Sequence, residues 1–538
     1  VVAATSRIEG EKLVNASVSY SRQVRGLLPQ ARELLPLFPQ ALDMVYHFLG
    51  SREAFGRTEP HFDFVKILAD MYLGASAGIN GKQTSSMHEG VKYTIDPSGK
   101  KYENIIPAMK EIVDFLVYGT RPTFTFMQTP KSETFVSTTK QWDDQEWEKF
   151  INKVRMFVIP DLKAIILSRF ATHRRSEELG GAIGIGRYWS KGGMDKVAKM
   201  LGLFQDPMAK QLNEADLTKI DQSICDVLVN LYYTTGILYY DKTHYLYPLM
   251  KKVTRLLVEE MCQRVTKIVN DIWAVVCGGV PSGVLDTSHM DSWSLLFLFC
   301  LFCIHTAQLN KEHGQAIYTC MVDNVIFIII YGDDHWYVLP WGSISALLNV
   351  HCFTVWLKKY WGMDMRDQRA GHSFLTTHHN GVVLQPGGVY LRHFAVLNPY
   401  KTHSEKQPKY LPFRPMREIL CKLLYGREPK PRDIWNILLS VLGHAYGTYA
   451  SNRYLHQYLF CLYRTGIKML KLGEDFVLER LAAHAEKDDL RKMRQMDMSV
   501  EDLKKGFPSL ETLIKKNEYD EAYHDLKARR YEVVYDWN

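Results

Sequence analysis

Two adjacent carboxylates, Asp333 and Asp334, separate two runs of strand-forming residues, Val325-Ile326-Phe327-Ile328-Ile329-Ile330 and His335-Trp336-Tyr337-Val338-Leu339. With Tyr331-Gly332 before them, the acids read as the turn of a β-hairpin. Asp and Gly suit a turn for backbone reasons alone, so the pair need carry no chemistry. Yet a buried strand ending in adjacent carboxylates gathers negative charges that repel each other, and a cation relieves that repulsion. Divalent metal ions bound by oxygen ligands are the natural partner.

A second acidic pair lies upstream in Ala215-Asp216-Leu217-Thr218-Lys219-Ile220-Asp221, at the end of an apparent strand, before helically spaced Ile224, Val227, Leu228 and Leu231. A carboxylate at that strand's end, brought beside Asp333, would complete a clamp for two ions about 3.5–4 Å apart. Such a clamp stabilises the attacking and leaving oxygens of an in-line phosphoryl transfer. Between the two acidic sites, Pro281-Ser282-Gly283 makes a loop, and the stretch beyond it runs into the apolar segment from Leu295 as a helix. Thr287 and Asp291 fall at successive i+4 steps from Gly283 and share one helical face. Polar groups on a helix entering the core need a substrate or a polar neighbour. N-capping by Ser282 or Thr287 would explain one of them but not the row.

The elements that must position these residues are spread along 538 residues, enough for several subdomains around a large core. A 46% hydrophobic and 23% charged composition is that of an ordinary globular protein, and the net charge of +7 suits a polyanionic partner without establishing one. Nine scattered cysteines do not form a secreted disulfide framework and suggest a reducing interior such as cytoplasm. Cys300-x-x-Cys303 has no second pair at zinc spacing and follows Leu295-Leu296-Phe297-Leu298-Phe299, a helix core. That run is shorter than the roughly 20 apolar residues that span a bilayer. No signal peptide is read, and the chain begins at Val1. The glycines of Gly180 to Gly186 lack a clear preceding parallel strand and read as a loop, not a dinucleotide site. Helical patterning covers Ala31 to Leu49 before a turn-rich patch at Asp96-Pro97-Ser98-Gly99. Beyond residue 395 the chain turns helical at Met416 to Leu424, Ile434 to Tyr446 and Tyr454 to Leu472, then runs as a charged tail through Ala528.

Asp-x-x-x-x-Asp, then Ser-Gly-x-x-x-Thr-x-x-x-Asp, then Gly-Asp-Asp, in that order, resembles palm motifs A, B and C of viral RNA-directed RNA polymerases. Asp291 at the last place of motif B, where many positive-strand enzymes have Asn, is similar to the enzymes of small double-stranded RNA viruses of the picobirnavirus and partitivirus type. The resemblance implies an α+β right hand with an antiparallel palm sheet and a helical thumb, encircled by an N-terminal extension. The expected segments are an extension over 1–100, fingers over 101–211, palm with motif A over 212–240, a fingers insertion over 241–276, palm with motifs B to E over 277–395, and thumb and tail over 396–538. It also implies Asp216 and Asp333 as principal ligands of two Mg²⁺ or Mn²⁺ ions, with Asp334 in support. Asp221, Ser282, Gly283, Thr287 and Asp291 become the nucleotide- and ribose-reading set. Lys153 and Arg155, alternate residues of a strand-like segment, match basic motif F facing the triphosphate. Arg169, Arg174 and Arg175 are further candidates for the nucleotide channel. Ser373-Phe374-Leu375 resembles the start of the primer-grip hairpin, continued by Tyr390-Leu391-Arg392. Among Lys358, Lys359 and Arg369, Lys359 is the expected general acid for pyrophosphate. Asp291 facing Asp221 requires that one of them hold a proton or that Thr287 or Ser288 bridge them.

The partners so implied are RNA template and nascent RNA, ribonucleoside triphosphates and a viral capsid protein, with no membrane, in the virion interior or host cytoplasm. A reverse transcriptase shares the Tyr-x-Asp-Asp hairpin but places a bulky aromatic where Asp221 stands here. A catalytically dead palm retained for RNA or capsid binding would be expected to lose an acid, and Asp216, Asp333 and Asp334 are all present.

Overall fold

The computed structural model describes residues 2–4, 10–21, 28–71, 84–88, 91–96, 100–130, 134–136, 145, 154, 156–269, 271–283, 286–424, 433–484, 493 and 498–519. Lys153, Arg155, most of the 96–99 patch and the tail beyond 519 lie outside them.

Four antiparallel strands form the central sheet: β1 (Gln211–Leu217), β2 (Phe327–Tyr331), β3 (Asp334–Leu339) and β4 (Met365–His372), in the order β2-β3-β1-β4. The two apolar runs pair as the hairpin β2–β3, with Tyr331 opposite Asp334 and only Gly332 and Asp333 in the loop. Asp334 is therefore the first residue of a strand, and Asp333 belongs to the turn. Gly332 takes φ +62°, the left-handed backbone that a two-residue loop demands and glycine supplies at least cost.

The sheet's two faces carry different residues at the acidic end. Ile328, Ile330, Tyr337 and Leu339 are fully buried, and helix α1 (Thr287–Leu309) packs beneath, with the Phe299 and Tyr337 ring centroids 4.9 Å apart. Alternate residues Glu214, Asp216, Asp334, Trp336, Arg366 and Arg369 occupy the other face. At 23 residues α1 is long and apolar enough to cross a bilayer, longer than its apolar run suggests, but it lies buried in the protein's core. Helix α2 (Val350–Trp361) covers its C-terminal half through Phe302, Phe353 and Trp356. Cys300 and Cys303 are buried among these side chains.

The glycine-rich segment is a loop whose use is structural. Gly184 N–H donates to Ile330 O (2.7 Å) and Ile330 N–H to Ala182 O (2.8 Å), so the loop covers the edge of β2. A Cβ on Gly184 would lie 2.2 Å from the hydroxyl of buried Tyr390, which explains glycine there.

A second four-stranded sheet joins Met156–Ile159, Phe126–Pro130, Gln263–Val269 and Ile272–Cys277, in that order, and so draws together segments from before and after β1. Toward the C terminus a three-stranded sheet (Val389–Tyr390, His393–Leu397, Tyr410–Phe413) leads into helices Met416–Leu424, Ile434–Tyr446 and Arg453–Leu470. These helices have their own core around Leu438, Leu442, Leu459 and Tyr463. Leu391 and Arg392, expected to continue the strand from Tyr390, instead form its two-residue turn, with φ +49° and +60°. The helical pattern of Ala31 to Leu49 divides into a 3₁₀ segment, Pro29–Leu37, and an α-helix, Phe38–Leu49. Pro36 and Pro39 lack the amide hydrogens that a continuous helix would use there.

Candidate active site

The acids converge through strand register. Asp334 lies directly opposite Asp216, in a pairing that sets Cα atoms about 4.5–5.5 Å apart with side chains on one face. Asp333 stands in the adjoining turn. Burial first, then the charges of Asp333 and Asp216, push the Asp334 carboxyl up to about 7. Such an array of hard oxygen donors suits a divalent cation in chemical type. Among the described residues no three His, Cys, Asp or Glu side chains already converge on one point, so ions held here would take further oxygens from substrate phosphates and water.

Arg366, on the opposite side of β1 from Asp334, places Nε and Nη2 each 2.6 Å from Asp216 Oδ2. Sequence reading missed this residue. Nothing local marked it, because a register shift between Arg366 and Arg369 is what sets these residues, three apart, opposite Asp216 and Glu214 on one face. Arg369 instead donates to Glu214 Oε1 at 2.7 Å. Glu214, two residues before Asp216, also accepts from Trp336 Nε1 (2.9 Å) and Val389 N–H (2.8 Å). Burial acts to raise its pKa, but His372, Val389 N–H and Arg369 hold its carboxyl below the ordinary value. Glu214 thus fastens the acidic sheet to the neighbouring 389–397 hairpin.

Lys359 is not brought to the acids. Its ammonium lies 4.7 Å from the Tyr360 ring centroid, in the surroundings of Glu33 and His305. His305 lies 14 residues beyond Asp291 on α1, about 21 Å along the axis. Lys358 is paired with Asp364 at 3.0 Å. Arg175 does not line a channel either: it is fully buried, with Nη1 2.9 and 3.0 Å from the two oxygens of Glu178. Arg169 is also buried, whereas Arg174 is partly exposed and 3.8 Å from Glu177.

The loop and helix between the acidic sites converge as their spacing suggests. Asp286 precedes α1 and Thr287 begins it, with the Thr287 hydroxyl donating to Pro281 O at 2.8 Å, so neither Ser282 nor Thr287 serves as the N-cap. Asp291 is buried. Burial first, and then the charges of Asp221, Asp333 and Asp286, push its carboxyl well above the ordinary range. Ser292, unmarked in the sequence, accepts from Gly332 N–H at 2.8 Å and ties α1 to the acidic turn.

Ser282 and Gly283 dock on the strand that follows the basic segment. Val158 N–H donates to Ser282 Oγ (3.3 Å), and Gly283 N–H donates to Val158 O (3.0 Å). A Cβ at Gly283 would meet Val158 O and Pro160 Cδ at 2.7 Å. Gly283→Ala is therefore expected to displace the loop at a cost of about 1–3 kcal/mol, read as a lower melting temperature together with a raised KM for nucleotide. Unchanged values for both would show that the loop adapts without loss.

Residues 151–370 match the family model described as Viral RNA-dependent RNA polymerase. No curated protein matches the chain in sequence. Among solved structures, the chain is similar to a Sicinivirus 3Dpol RNA-dependent RNA polymerase, with a TM-score of 0.56 at 13% identity, covering 90% of this chain and 92% of that one. That likeness carries the fold, a mixed helix-and-sheet architecture shared with a viral polymerase. Enzymes of this family generally use divalent metal ions and bind RNA and nucleoside triphosphates. The matched segment holds both acidic sites and the loop-and-helix between them, and together with this fold it supports template-directed RNA synthesis by an RNA-directed RNA polymerase.

Proposed function

We propose that this chain replicates and transcribes the genome of a small double-stranded RNA virus by two-metal nucleotidyl transfer. The observation that carries the chemistry is the register of Asp216 opposite Asp334, with Asp333 in the turn between β2 and β3. Asp291 at the end of the Ser-Gly-x-x-x-Thr-x-x-x-Asp row favours the picobirnavirus and partitivirus type. In this reading the central sheet with α1 is the palm, the second sheet with its flanking segments 101–211 and 241–276 is the fingers, and the helices beyond 395 are the thumb. Residues 1–100 bridge fingers and thumb. The protein works within the virion or the host cytoplasm beside a capsid protein.

Asp216 and Asp333 would hold two Mg²⁺ or Mn²⁺ ions, with Asp334 supporting. Bound there, the ions would supply Lewis-acid activation of a 3′-hydroxyl and neutralisation of the leaving pyrophosphate. The residues themselves do the selecting. Lys153 and Arg155 would meet the triphosphate with charge-assisted hydrogen bonds. Ser282, Gly283 and Thr287 shape the loop against Val158 and Pro281, and Asp221, with the buried Asp291 nearby, reads the sugar. A carboxylate accepts a hydrogen bond from a ribose 2′-hydroxyl, and a deoxynucleotide offers none.

Incubating the purified chain with a defined RNA template, Mg²⁺ or Mn²⁺ and either ribo- or deoxynucleoside triphosphates tests the reading. Template-directed synthesis of RNA, with or without a primer, is the expected result, and synthesis of DNA alone would replace it with reverse transcription. Asp221→Ala is expected to narrow the ribo-to-deoxy ratio of kcat/KM by about tenfold to a hundredfold, since the wrong sugar leaves the half-buried Asp221 acceptor unpaired at a cost of about 1–3 kcal/mol. An unchanged ratio would mean that the sugar is read elsewhere.

A further inference from the structure

The N-terminal helix Gly10–Ser21 reaches the sugar-reading residues from behind. Leu13 and Val14 pack on Ile268, Val269 and Val276 of the second sheet, and Ser17 is buried against Met156. The last turn of the helix then delivers Tyr20, 6% exposed, to Asp221. Its hydroxyl donates to Asp221 Oδ2 across 3.5 Å, a long contact, with Ser282 and Gln222 also within its reach. Tyr20, Asp221 and Gln222 line a narrow crevice with Gln128, Arg264 and Thr266.

The backbone of Asp221 is fixed separately. Its carbonyl accepts from Val280 N–H at 2.5 Å, and Arg264 holds the adjoining turn by donating to Gly278 O (2.6 Å) and Gly279 O (2.9 Å). The main chain at Asp221 is thus anchored by the 278–280 turn, and Tyr20 reaches its carboxylate from the N-terminal helix. Burial and the charge of Asp221 raise the phenol above its ordinary pKa, so it stays a donor.

We propose that Tyr20 is a positioning residue for sugar selection, holding one carboxylate oxygen of Asp221 so that the other faces the ribose 2′-hydroxyl. This rests on the reading of Asp221 as the ribose acceptor. A carboxylate engaged on one side has fewer rotamers to lose when the sugar arrives, and that preorganisation is realised only with a 2′-hydroxyl present. The N-terminal extension thereby contributes to fidelity without touching the nucleotide.

The test is kcat/KM for one matched ribo- and deoxynucleoside triphosphate pair on the wild type, Tyr20→Phe, Asp221→Ala and the double variant. Tyr20→Phe keeps the ring and its packing and removes only the hydroxyl. It is expected to lower the ribo-to-deoxy ratio roughly threefold to tenfold, through a higher KM for the ribonucleotide with kcat nearly unchanged. In the Asp221→Ala background the same change is expected to do nothing more. A Tyr20→Phe ratio equal to wild type, in a chain where Asp221→Ala does narrow it, overturns the positioning role alone. Equal effects of Tyr20→Phe in both backgrounds overturn it too, because the hydroxyl would then act independently of Asp221. An Asp221→Ala chain that keeps the wild-type ratio removes the ribose reading and the proposal with it.

Discussion

Asp333→Asn is expected to reduce nucleotide incorporation by about a thousandfold or more while leaving the fold and RNA binding intact. Asp333 lies in the two-residue turn between β2 and β3, where Asn is as acceptable to the backbone as Asp. No core packing depends on its charge. The substitution removes one negative charge from a group that includes Asp216 and Asp334, and loss of metal-borne stabilisation worth several kcal/mol slows the chemical step by three or more powers of ten. Single-nucleotide extension at saturating Mg²⁺, with a melting curve and an RNA-binding isotherm on the same preparation, separates chemistry from folding. Robust extension by a well-folded Asp333→Asn chain would sink the two-metal assignment. Relief of repulsion supplies an internal check. Because burial and its neighbours raise the Asp334 carboxyl to about 7, ionising it works against the metal-free fold. Its folded-state value exceeds its unfolded one, so this contribution to stability is present in acid and declines as pH rises from about 4 to 7.

The acids were legible in the sequence because their determinants are local. Strand runs on either side of Gly332-Asp333 dictate a hairpin, and the i+4 spacing of Thr287 and Asp291 follows from helix geometry alone. The antiparallel order β2-β3-β1 then places Asp334 opposite Asp216. Partners chosen by tertiary approach were not legible. Arg366 reaches Asp216 only because β4 adds to the far edge of β1, and Glu214 gathers Trp336, Arg369 and Val389 from three separate segments. Nothing local distinguishes Ser292, which holds the acidic turn, from Ser288 or Ser294 on the same helix. Lys359 was expected at the site because it is a lysine after motif C, but its place on α2 is set by which face of that helix buries Phe353, Trp356 and Leu357. Arg175 misled for a similar reason. An arginine among basic neighbours reads as surface until Glu178, one helical turn away, is seen to be buried with it.

That buried pair gives the largest stability effect expected of a single substitution outside the acids. Arg175 and Glu178 are both fully buried. Beyond Glu178, the Arg175 guanidinium donates to Thr235 Oγ1 (2.8 Å) and to Tyr232 O, and stands 3.8 Å from the Tyr232 ring centroid. Glu178 accepts from Tyr239 Oη (2.7 Å) and lies 3.2 Å from His289 Nε2, while Tyr232 Oη meets His289 Nδ1 at 3.0 Å. The cluster therefore joins the 173–178 segment and the helix Asp226–Gly236, which follows Asp221, to the first turns of α1, two residues from Asp291. Glu178→Ala would strand a guanidinium in the core without its counter-ion, a loss of about 3–5 kcal/mol. Glu178→Gln keeps the volume and one acceptor and should lose less, while Arg175→Met with Glu178→Leu removes both charges and should recover much of the stability. Denaturant midpoints across these variants decide the matter. If Glu178→Ala is no less stable than the Arg175→Met and Glu178→Leu pair, the carboxylate is not what compensates Arg175. The catalytic consequence follows from the same contacts: where Glu178→Ala remains folded, α1 loses its anchor at His289, and Asp291 and Ser292 lose their fixed relation to Asp221 and Gly332. Nucleotide KM should then rise even at temperatures well below melting, which simple loss of folded protein would not produce.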